Sequence, residues 1–336
     1  MRTIDYRGED SGRIVIIDQR LLPGEKKLLE IRNHQELITA IQTLAIRGAP
    51  ALGVAGAFGV ALIAAKSEAE NWNSSQINAA IDDLRSARPT AVNLAWGVDQ
   101  VRPLLDQGAA AVLDAALEMS RADGRANRAM GKIGAAFILG LCGERKLRAL
   151  THCNTGALAT TEWGTALGVI AELHQMGCIE EVYADETRPL LQGSRLTAWE
   201  LGELGISYRI LPDGAAASAL FSGAIDVVLI GADRIARNGD SANKIGSLSV
   251  AIAAKERNIP FFVVAPESTI DRSIATGADI NIEFRDDTEV THIAGHPVAP
   301  IGAKTYNPAF DVTPARYITG IVTEKKVYQP RNGEGL

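Results

Sequence analysis

The sequence predicts an α/β protein: a Rossmann-like, doubly wound parallel sheet preceded by a smaller, mainly helical N-terminal domain with a small antiparallel sheet. Three observations predict it. From residue 147 onward, short and nearly continuous apolar runs alternate with helical patterns, as in parallel sheets whose two faces are both covered. Before that point the chain is a succession of segments with apolar residues three and four apart, the period of amphipathic helices. The 336 residues, 46% of them hydrophobic, suffice for two cores, which we place at 1–125 and 126–336.

Taken in order, "GRIVIIDQRLLPGEKKLLEI" puts two apolar runs around Pro23-Gly24 and reads as a β-hairpin. Helices follow in "HQELITAIQTLA", "SQINAAIDDLRSA", "LAWGVDQVRPLLDQ" and "AAAVLDAALEMSRADGRANRAMGKIGAAFI". Between the first two of these, "GAPALGVAGAFGVALIAA", Gly48 to Ala65, has no charge over a length at the lower limit for a membrane span. Its alanines and glycines contribute little transfer energy, and Gly53, Gly56 and Gly59 suit close packing inside a protein, so a buried helix is expected. In the second domain the strands are "LRALTH", "IEEVYAD", "ISYRIL", "AIDVVLIGAD" and "PFFVVAP", and the connecting helices are "TTEWGTALGVIAELHQMG", "SRLTAWELGELG", "GAAASALFSG" and "NKIGSLSVAIAAKERN".

A formal charge of −6 and a pI near 5.5 provide no basic face to collect phosphates, which argues against nucleic-acid binding. The three cysteines, Cys142, Cys153 and Cys178, show no C-x-x-C spacing and suggest neither a disulfide framework nor a zinc ribbon. They fit a reducing compartment, and the charged opening "MRTIDYRGED" lacks a secretory core; a cytoplasmic protein is expected. No G-x-G-x-x-G stands between a strand and its helix and no Walker A sequence is present, so a nicotinamide or P-loop enzyme is not indicated.

In an open parallel sheet the ligand lies beyond the carboxyl ends of the strands. The residues placed there are Cys153 with Asn154, Asp185 with Glu186, Asp213, Asp233 and Pro266. Cys153 could be a reactive thiol at a helix N-terminus or a small apolar residue filling a strand end. His152, one residue back on an extended strand, points to the other face and is expected to pack there. Asp233 is either an acid–base carboxyl or a turn cap. Asp185 and Glu186 are weaker candidates, and no further ligands for a metal beside them can be identified. In "IRGAPALG", Arg47 and Gly48 precede a proline in the first turn of a helix, leaving backbone N–H groups beside a guanidinium where a phosphate fits. Asn243 and Lys244 stand at the expected opening of the last helix, and Arg88, Arg188, Gln192 and Arg195 occupy loops. Together they offer several donors to an anionic, polyhydroxylated ligand.

The segments "RGAPALG", "RPTAVNLAWG", "HCNTGALAT", "DETRPLLQGSRLTAWEL", "GADRIARNGDSANKIG" and "YNPAFDVTPARYITGIVTE" closely resemble, in order from about Arg47 to Glu324, the methylthioribose-1-phosphate isomerases of methionine salvage. Wider relatives are the regulatory subunits of a translation-initiation exchange factor and the ribose-1,5-bisphosphate isomerases. The resemblance implies a two-domain fold of the kind read above and conversion of 5-methylthioribose 1-phosphate to 5-methylthioribulose 1-phosphate without metal or organic cofactor. It also implies a homodimer. By it, Cys153 and Asp233 match the catalytic positions, with Asp233 the proton donor, and Arg47, Gly48, Ala49, Arg88, Gln192, Asn243 and Lys244 match substrate-binding positions. One departure is Thr155, where the family commonly has alanine. The alternatives are a ribose-1,5-bisphosphate isomerase, which needs a second phosphate site, and a non-catalytic subunit sensing sugar phosphates or nucleotides, which needs neither a thiol nor a carboxylate at strand ends.

Overall fold

The computed structural model describes residues 2–8, 12–89 and 91–336. The chain divides into two compact units, Met1–Arg125 with Gly156–Gly164, and Ala126–Thr155 with Thr165–Leu336.

The first unit opens on a three-stranded antiparallel sheet in the order β1 (Ile4–Arg7), β2 (Arg13–Ile17), β3 (Leu28–Ile31). The expected hairpin is β2–β3, registered Ile14 to Ile31 and Ile17 to Leu28. Its connection is a loop over 18–27 rather than a tight Pro-Gly turn, closed by Asp18 N–H donating to the Lys27 carbonyl (2.9 Å) and held by the Asp18 carboxylate on the Arg20 guanidinium. Strand β1 was not among the expected elements. Its alternation of buried Ile4 and Tyr6 pairs it with β2.

The α-helices that follow among the described residues are α1 (His34–Gln42), α2 (Ala49–Glu70), α3 (Ser74–Arg85), α4 (Val92–Val101) and α5 (Ala109–Cys142). Asn33 caps α1, and a capping box between Asn73 and Gln76 opens α3. Helix α2 is the uncharged run. It is long and apolar enough to cross a membrane, yet every residue from Ala51 to Ala64 is buried in the unit's core. The glycines explain how. A Cβ at Gly97 of α4 would lie 1.9 Å from the Gly53 carbonyl oxygen of α2, and one at Gly56 would lie 2.6 Å from the Leu94 carbonyl oxygen, so the two backbones touch where side chains would hold them apart. The division between units falls inside α5, and the short excursion 156–164 returns to the first unit. There Thr3 N–H donates to the Thr161 carbonyl (2.9 Å) and Gln19 Nε2 to that of Leu158 (2.7 Å).

In the second unit the strands are β4 (Leu147–His152), β5 (Ile179–Asp185), β6 (Tyr208–Leu211), β7 (Val227–Ile230), β8 (Arg234–Ala236), β9 (Ser241–Lys244), β10 (Phe261–Val264), β11 (Ile270–Asp271), β12 (His292–Ile293), β13 (His296–Pro297), β14 (Phe310–Thr313), β15 (Gly320–Val322) and β16 (Val327–Tyr328). The helices are α6 (Ala166–Gln175), α7 (Ala198–Glu203), α8 (Ala216–Phe221), α9 (Ser247–Glu256) and α10 (Thr288–Thr291). Among the described residues the main sheet has seven strands in the order β16-β15-β10-β7-β4-β5-β6, all parallel except the edge strand β16. The five expected apolar runs are β4, β5, β6, β7 and β10. One face of the sheet packs on α5, α6 and α7 through Ile138, Val169 and Leu201, and the other on α8 and α9 through Leu220 and Ala251. The sheet is therefore doubly wound. From β4 the chain steps to β5 and β6 on one side, then returns to β7, β10 and β15 on the other, making β4/β7 the topological switch point.

A second sheet, β11-β8-β9-β14, corrects one expectation. Asn243 and Lys244 lie on β9, paired with Asp311 and Phe310 of β14, and the helix begins only at Ser247, after Gly246 in a left-handed conformation (φ 108°). The cause is a hairpin, β8–β9, turning through Asn238-Gly239 with Gly239 at φ 88°. An Asn-Gly dipeptide is a hairpin signal, and it outweighs the helical spacing that begins at Asn243.

Candidate active site

Cys153 follows β4 directly, and Asp233 follows β7 by three residues. Their strands are adjacent, with His152 registered against Ile230. Neighbouring strands run about 5 Å apart, so the two residues follow adjacent strand ends at the switch point. Gly231 keeps the exits close, because a Cβ there would stand 2.9 Å from the Thr155 side chain.

Cys153 is 6% exposed and left-handed, at φ 63°. A non-glycine residue there stores strain of about 1–3 kcal/mol and persists only where its surroundings hold it. They do. Cys153 N–H donates to Thr187 Oγ1 (2.9 Å), and Thr187 Oγ1 donates in turn to the Asp185 carbonyl (3.0 Å). On the other side Thr197 Oγ1 donates to the Cys153 carbonyl (2.6 Å). Asn154, beside it, donates to Thr197 Oγ1 (3.2 Å) and to the buried Glu200 carboxylate (2.7 Å). Thr187, Thr197 and Glu200 were not singled out from the sequence, although all three lie in the motif that contains Gln192.

Gln192 is buried, and its Oε1 has no partner among the described residues. It precedes a single π-helical turn, Gly193–Thr197, packed so tightly on the end of β5 that a Cβ at Gly193 would lie 1.6 Å from the Asp185 carbonyl oxygen. A buried amide oxygen without a partner carries a desolvation cost unless a ligand supplies a donor.

Asn243 is buried and donates to Ser247 Oγ (2.8 Å). Lys244, 9% exposed, donates to the Ala309 carbonyl (2.8 Å), with its ammonium 4.6 Å from the Phe310 ring centroid. The N-terminus of α9 next to it is already filled by the Asp311 carboxylate, which accepts from Gly246 N–H (2.8 Å) and Leu248 N–H (3.1 Å). Burial pushes the Asp311 carboxyl above the usual carboxylate range, opposed by those two amides. An anion held by Lys244 therefore does not share that helix end.

His152 corrects a second expectation. The side chain does not simply pack: its Nδ1 is 2.9 Å from Asp185 Oδ2 and its Nε2 is 2.9 Å from the Ile245 carbonyl, with both residues 1% exposed. Burial alone pulls the imidazole down, but the Asp185 carboxylate and the Ile245 carbonyl outweigh it and hold His152 above its ordinary value. Burial likewise raises Asp185, opposed by His152. Ligand atoms of His152, Asp185 and Asp213 come within 4.8 Å of one another, a grouping the sequence did not reveal. Both His152 nitrogens are engaged, however, and both Asp213 oxygens accept backbone N–H groups, from Thr187 (2.7 Å) and Arg188 (2.6 Å). These atoms serve the loop. Glu186 is half-buried after β5, and Pro266 opens a short 3₁₀ turn after β10.

In the first unit, Arg47 is half-buried and Gly48 is the N-cap of α2, at φ 96°, where a Cβ would fall 2.4 Å from Ala159 Cα. Only glycine fits both the conformation and the space. Ala49 and Pro50 are the first helical residues, and the N-cap glycine supplies no side-chain cap. The N-terminus of a long helix with a glycine N-cap, beside a guanidinium, is suited to an anion. Arg88 is half-buried in the turn between α3 and α4, its carbonyl accepting Ala91 N–H (2.9 Å).

Thr155 has a clear use. Its Oγ1 accepts Leu167 N–H (3.1 Å) in the first turn of α6, whose N-cap makes no side-chain bond of its own. Thr155→Ala should lower stability by about 0.5–1 kcal/mol, the value of a lost cap; denaturant unfolding checks this. Turnover should stay within twofold.

Residues 45–330 match the initiation factor 2 subunit family. The chain is 52% identical over 319 residues to a probable bifunctional methylthioribose-1-phosphate isomerase/methylthioribulose-1-phosphate dehydratase of Nocardia farcinica, a match covering 95% of this chain but 58% of that longer relative. To the methylthioribose-1-phosphate isomerase of Acetivibrio thermocellus it is 45% identical, across 100% of this chain and 99% of that one. The crystal structure of 5-methylthioribose 1-phosphate isomerase from Pyrococcus horikoshii OT3 is similar, with a TM-score of 0.87 and 39% identity over 98% of this chain and 94% of that one. So is the translation initiation factor eIF-2B subunit delta from A. fulgidus, with a TM-score of 0.85 and 39% identity over 99% and 98%.

Proposed function

The chain belongs to the initiation factor 2 subunit family and to the methylthioribose-1-phosphate isomerases within it, and from this kinship we infer its reaction, its site and its setting. It is an isomerase that converts 5-methylthioribose 1-phosphate to 5-methylthioribulose 1-phosphate. The observation that carries the reading is the pair Cys153 and Asp233, a thiol and a carboxyl leaving adjacent strands of a switch point. The dehydratase named for the longer Nocardia relative belongs to that protein.

The substrate resists because phosphate on the anomeric oxygen blocks spontaneous ring opening. Asp233 protonates the ring oxygen as the bond from C1 to that oxygen breaks, leaving an electron-deficient C1. Cys153, as thiolate, takes the proton from C2, and the electrons of that bond form an enol between C1 and C2. The thiol then returns the proton to C1 while the C2 hydroxyl proton goes back to Asp233. The ketose forms and both groups are restored, with no net redox change. Each transfer contributes about 10²–10⁴-fold, as positioned acid–base groups do. Burial of Cys153 keeps water from competing for the intermediate.

Arg47, with the open helix start at Gly48 and Ala49, takes the phosphate by charge-assisted bonds. Arg88 and Lys244 add positive charge, and Gln192 and Asn243 bind hydroxyls. Lys244 also stabilises the oxyanion character that develops at the sugar oxygens. A homodimer in the cytoplasm, acting on a small sugar phosphate and not on nucleic acid or membrane, completes the reading. Light scattering at about twice the 35.7 kDa chain mass is expected, and a monomer would refute that part.

The deciding assay compares 5-methylthioribose 1-phosphate with ribose 1,5-bisphosphate, following ketose formation. A site built for an apolar methylthio group offers no charge for a second phosphate dianion, so on this reading kcat/KM should favour the methylthio sugar by about 100-fold or more. Equal or reversed preference would make the protein a bisphosphate isomerase, and inactivity on both would leave a sensing subunit.

A further inference from the structure

His152 belongs to no step of that reaction, yet both of its ring nitrogens are engaged. The Ile245 carbonyl carries no proton, so His152 Nε2 must be the donor there, and Nδ1 shares its proton with Asp185 Oδ2. The ring also lies against the backbone of Gly246, where a Cβ would come 2.7 Å from His152 Cε1. One imidazole thus ties together the end of β4, the end of β5 and the connection between β9 and α9. Two of these segments carry residues assigned to the site, Cys153 after β4 and Asn243 with Lys244 on β9.

On the β5 side the tie closes a circuit. His152 reaches the Asp185 carboxylate, the Asp185 carbonyl accepts from Thr187 Oγ1, and Thr187 Oγ1 accepts from the N–H of Cys153, next to His152 in the chain. This circuit holds Cys153 at its left-handed φ of 63°. On the other side Ile245 directly follows Lys244, so the bond to its carbonyl fixes the strand end from which the ammonium projects. Asp185 Oδ1, buried, has no partner among the described residues. A merely structural contact would be better served by an apolar pair of the same volume, since a buried carboxylate with an idle oxygen is costly.

We propose that His152, oriented by Asp185, is a positioning residue that sets two arms independently: the Cys153 thiol through Asp185 and Thr187, and the Lys244 segment through Ile245. The proposal rests on the isomerase reading above. The two nitrogens can be separated by substitution, because an asparagine amide falls where Nδ1 stands and a glutamine amide where Nε2 stands.

His152→Gln keeps the Ile245 link and releases Asp185. It should lower kcat by about 10-fold or more with KM within about threefold, since small misplacement of a reacting group is paid in rate. His152→Asn keeps the Asp185 link and releases Ile245, and should raise KM by about 10-fold with kcat within about threefold. Asp185→Asn keeps a partner for Nδ1 but removes the charge, and should lower kcat by less than His152→Gln does, with KM within about threefold of wild type. In the His152→Gln protein iodoacetamide should label Cys153 about fivefold faster, read by peptide mass spectrometry apart from Cys142 and Cys178, because buried thiols react as fast as they are uncovered. Unfolding temperatures confirm that each variant is folded. If His152→Gln does not fold, Thr187→Val, which removes only the hydroxyl beneath the Cys153 N–H, carries the same kcat and labelling expectations, with Thr187→Ser restoring both. Equal shifts of kcat and KM in the two His152 variants, no shift in either, or an Asp185→Asn loss as deep as that of His152→Gln would overturn the proposal. A wild-type protein inactive on 5-methylthioribose 1-phosphate would instead refute the isomerase reading, while the labelling comparison would still decide whether the pair holds Cys153.

Discussion

Cys153→Ser should reduce kcat on 5-methylthioribose 1-phosphate by about 10³-fold while leaving KM near its wild-type value, within the range for loss of a positioned base. The substitution changes one atom. Two bonds that hold residue 153 run through its backbone, from its N–H to Thr187 Oγ1 and from Thr197 Oγ1 to its carbonyl, and both survive the substitution. What is lost is proton affinity of the right size, because a serine hydroxyl ionises far less readily than a thiol and cannot receive the C2 proton as an alkoxide. Steady-state kinetics alongside a thermal unfolding curve separate loss of chemistry from loss of structure. In deuterated water the wild-type protein should place some solvent deuterium at C1 of the ketose. Turnover of the serine variant near wild type, or a product wholly free of deuterium, would remove Cys153 from the proton path and favour hydride transfer from C2 to C1.

Asp233→Asn is expected to cost about 10²–10⁴-fold in kcat, since it deletes the proton that lets the ring oxygen leave. The amide is nearly the same size as the carboxyl, and the backbone bond from Asp233 N–H to the Ala242 carbonyl (2.9 Å) does not depend on the side chain. Binding should therefore persist, with KM changed by no more than about threefold, as when an interaction made only in the transition state is removed. A kcat within threefold of wild type would show that another acid opens the ring. The two variants also differ in kind. Asp233→Asn blocks the first step and should leave the C2 hydrogen of recovered substrate unexchanged, whereas Cys153→Ser leaves ring opening possible and stops the next transfer.

These two residues were legible because their positions follow from local pattern. Apolar runs announced β4 and β7, and parallel strands put function after their carboxyl ends, so Cys153 and Asp233 were candidates before any tertiary contact was known. The same parity argument set His152 on the face opposite Cys153, but took it for a packing residue. Its partners are Asp185 and Ile245, 33 and 93 residues away, and no local pattern reveals such a pair. Asn243 and Lys244 were misplaced onto a helix because the spacing of the apolar residues after them is helical, while the strand they occupy is decided by pairing with Asp311 and Phe310. The Asn238-Gly239 turn was a visible signal pointing to that strand.

By itself the sequence determined the alternation of five strands with their helices, the burial of the uncharged helix α2, the catalytic candidates and the family. These depend on the solvation and conformational preference of each segment, which its own residues carry. Only the tertiary structure decided the order β16-β15-β10-β7-β4-β5-β6, which makes β4 and β7 neighbours, and the left-handed backbone of Cys153 with the His152–Asp185 circuit behind it. Strand order, register and buried polar pairing are contests among segments far apart in the chain. They are settled by which arrangement buries the most apolar surface while giving each buried polar group a partner.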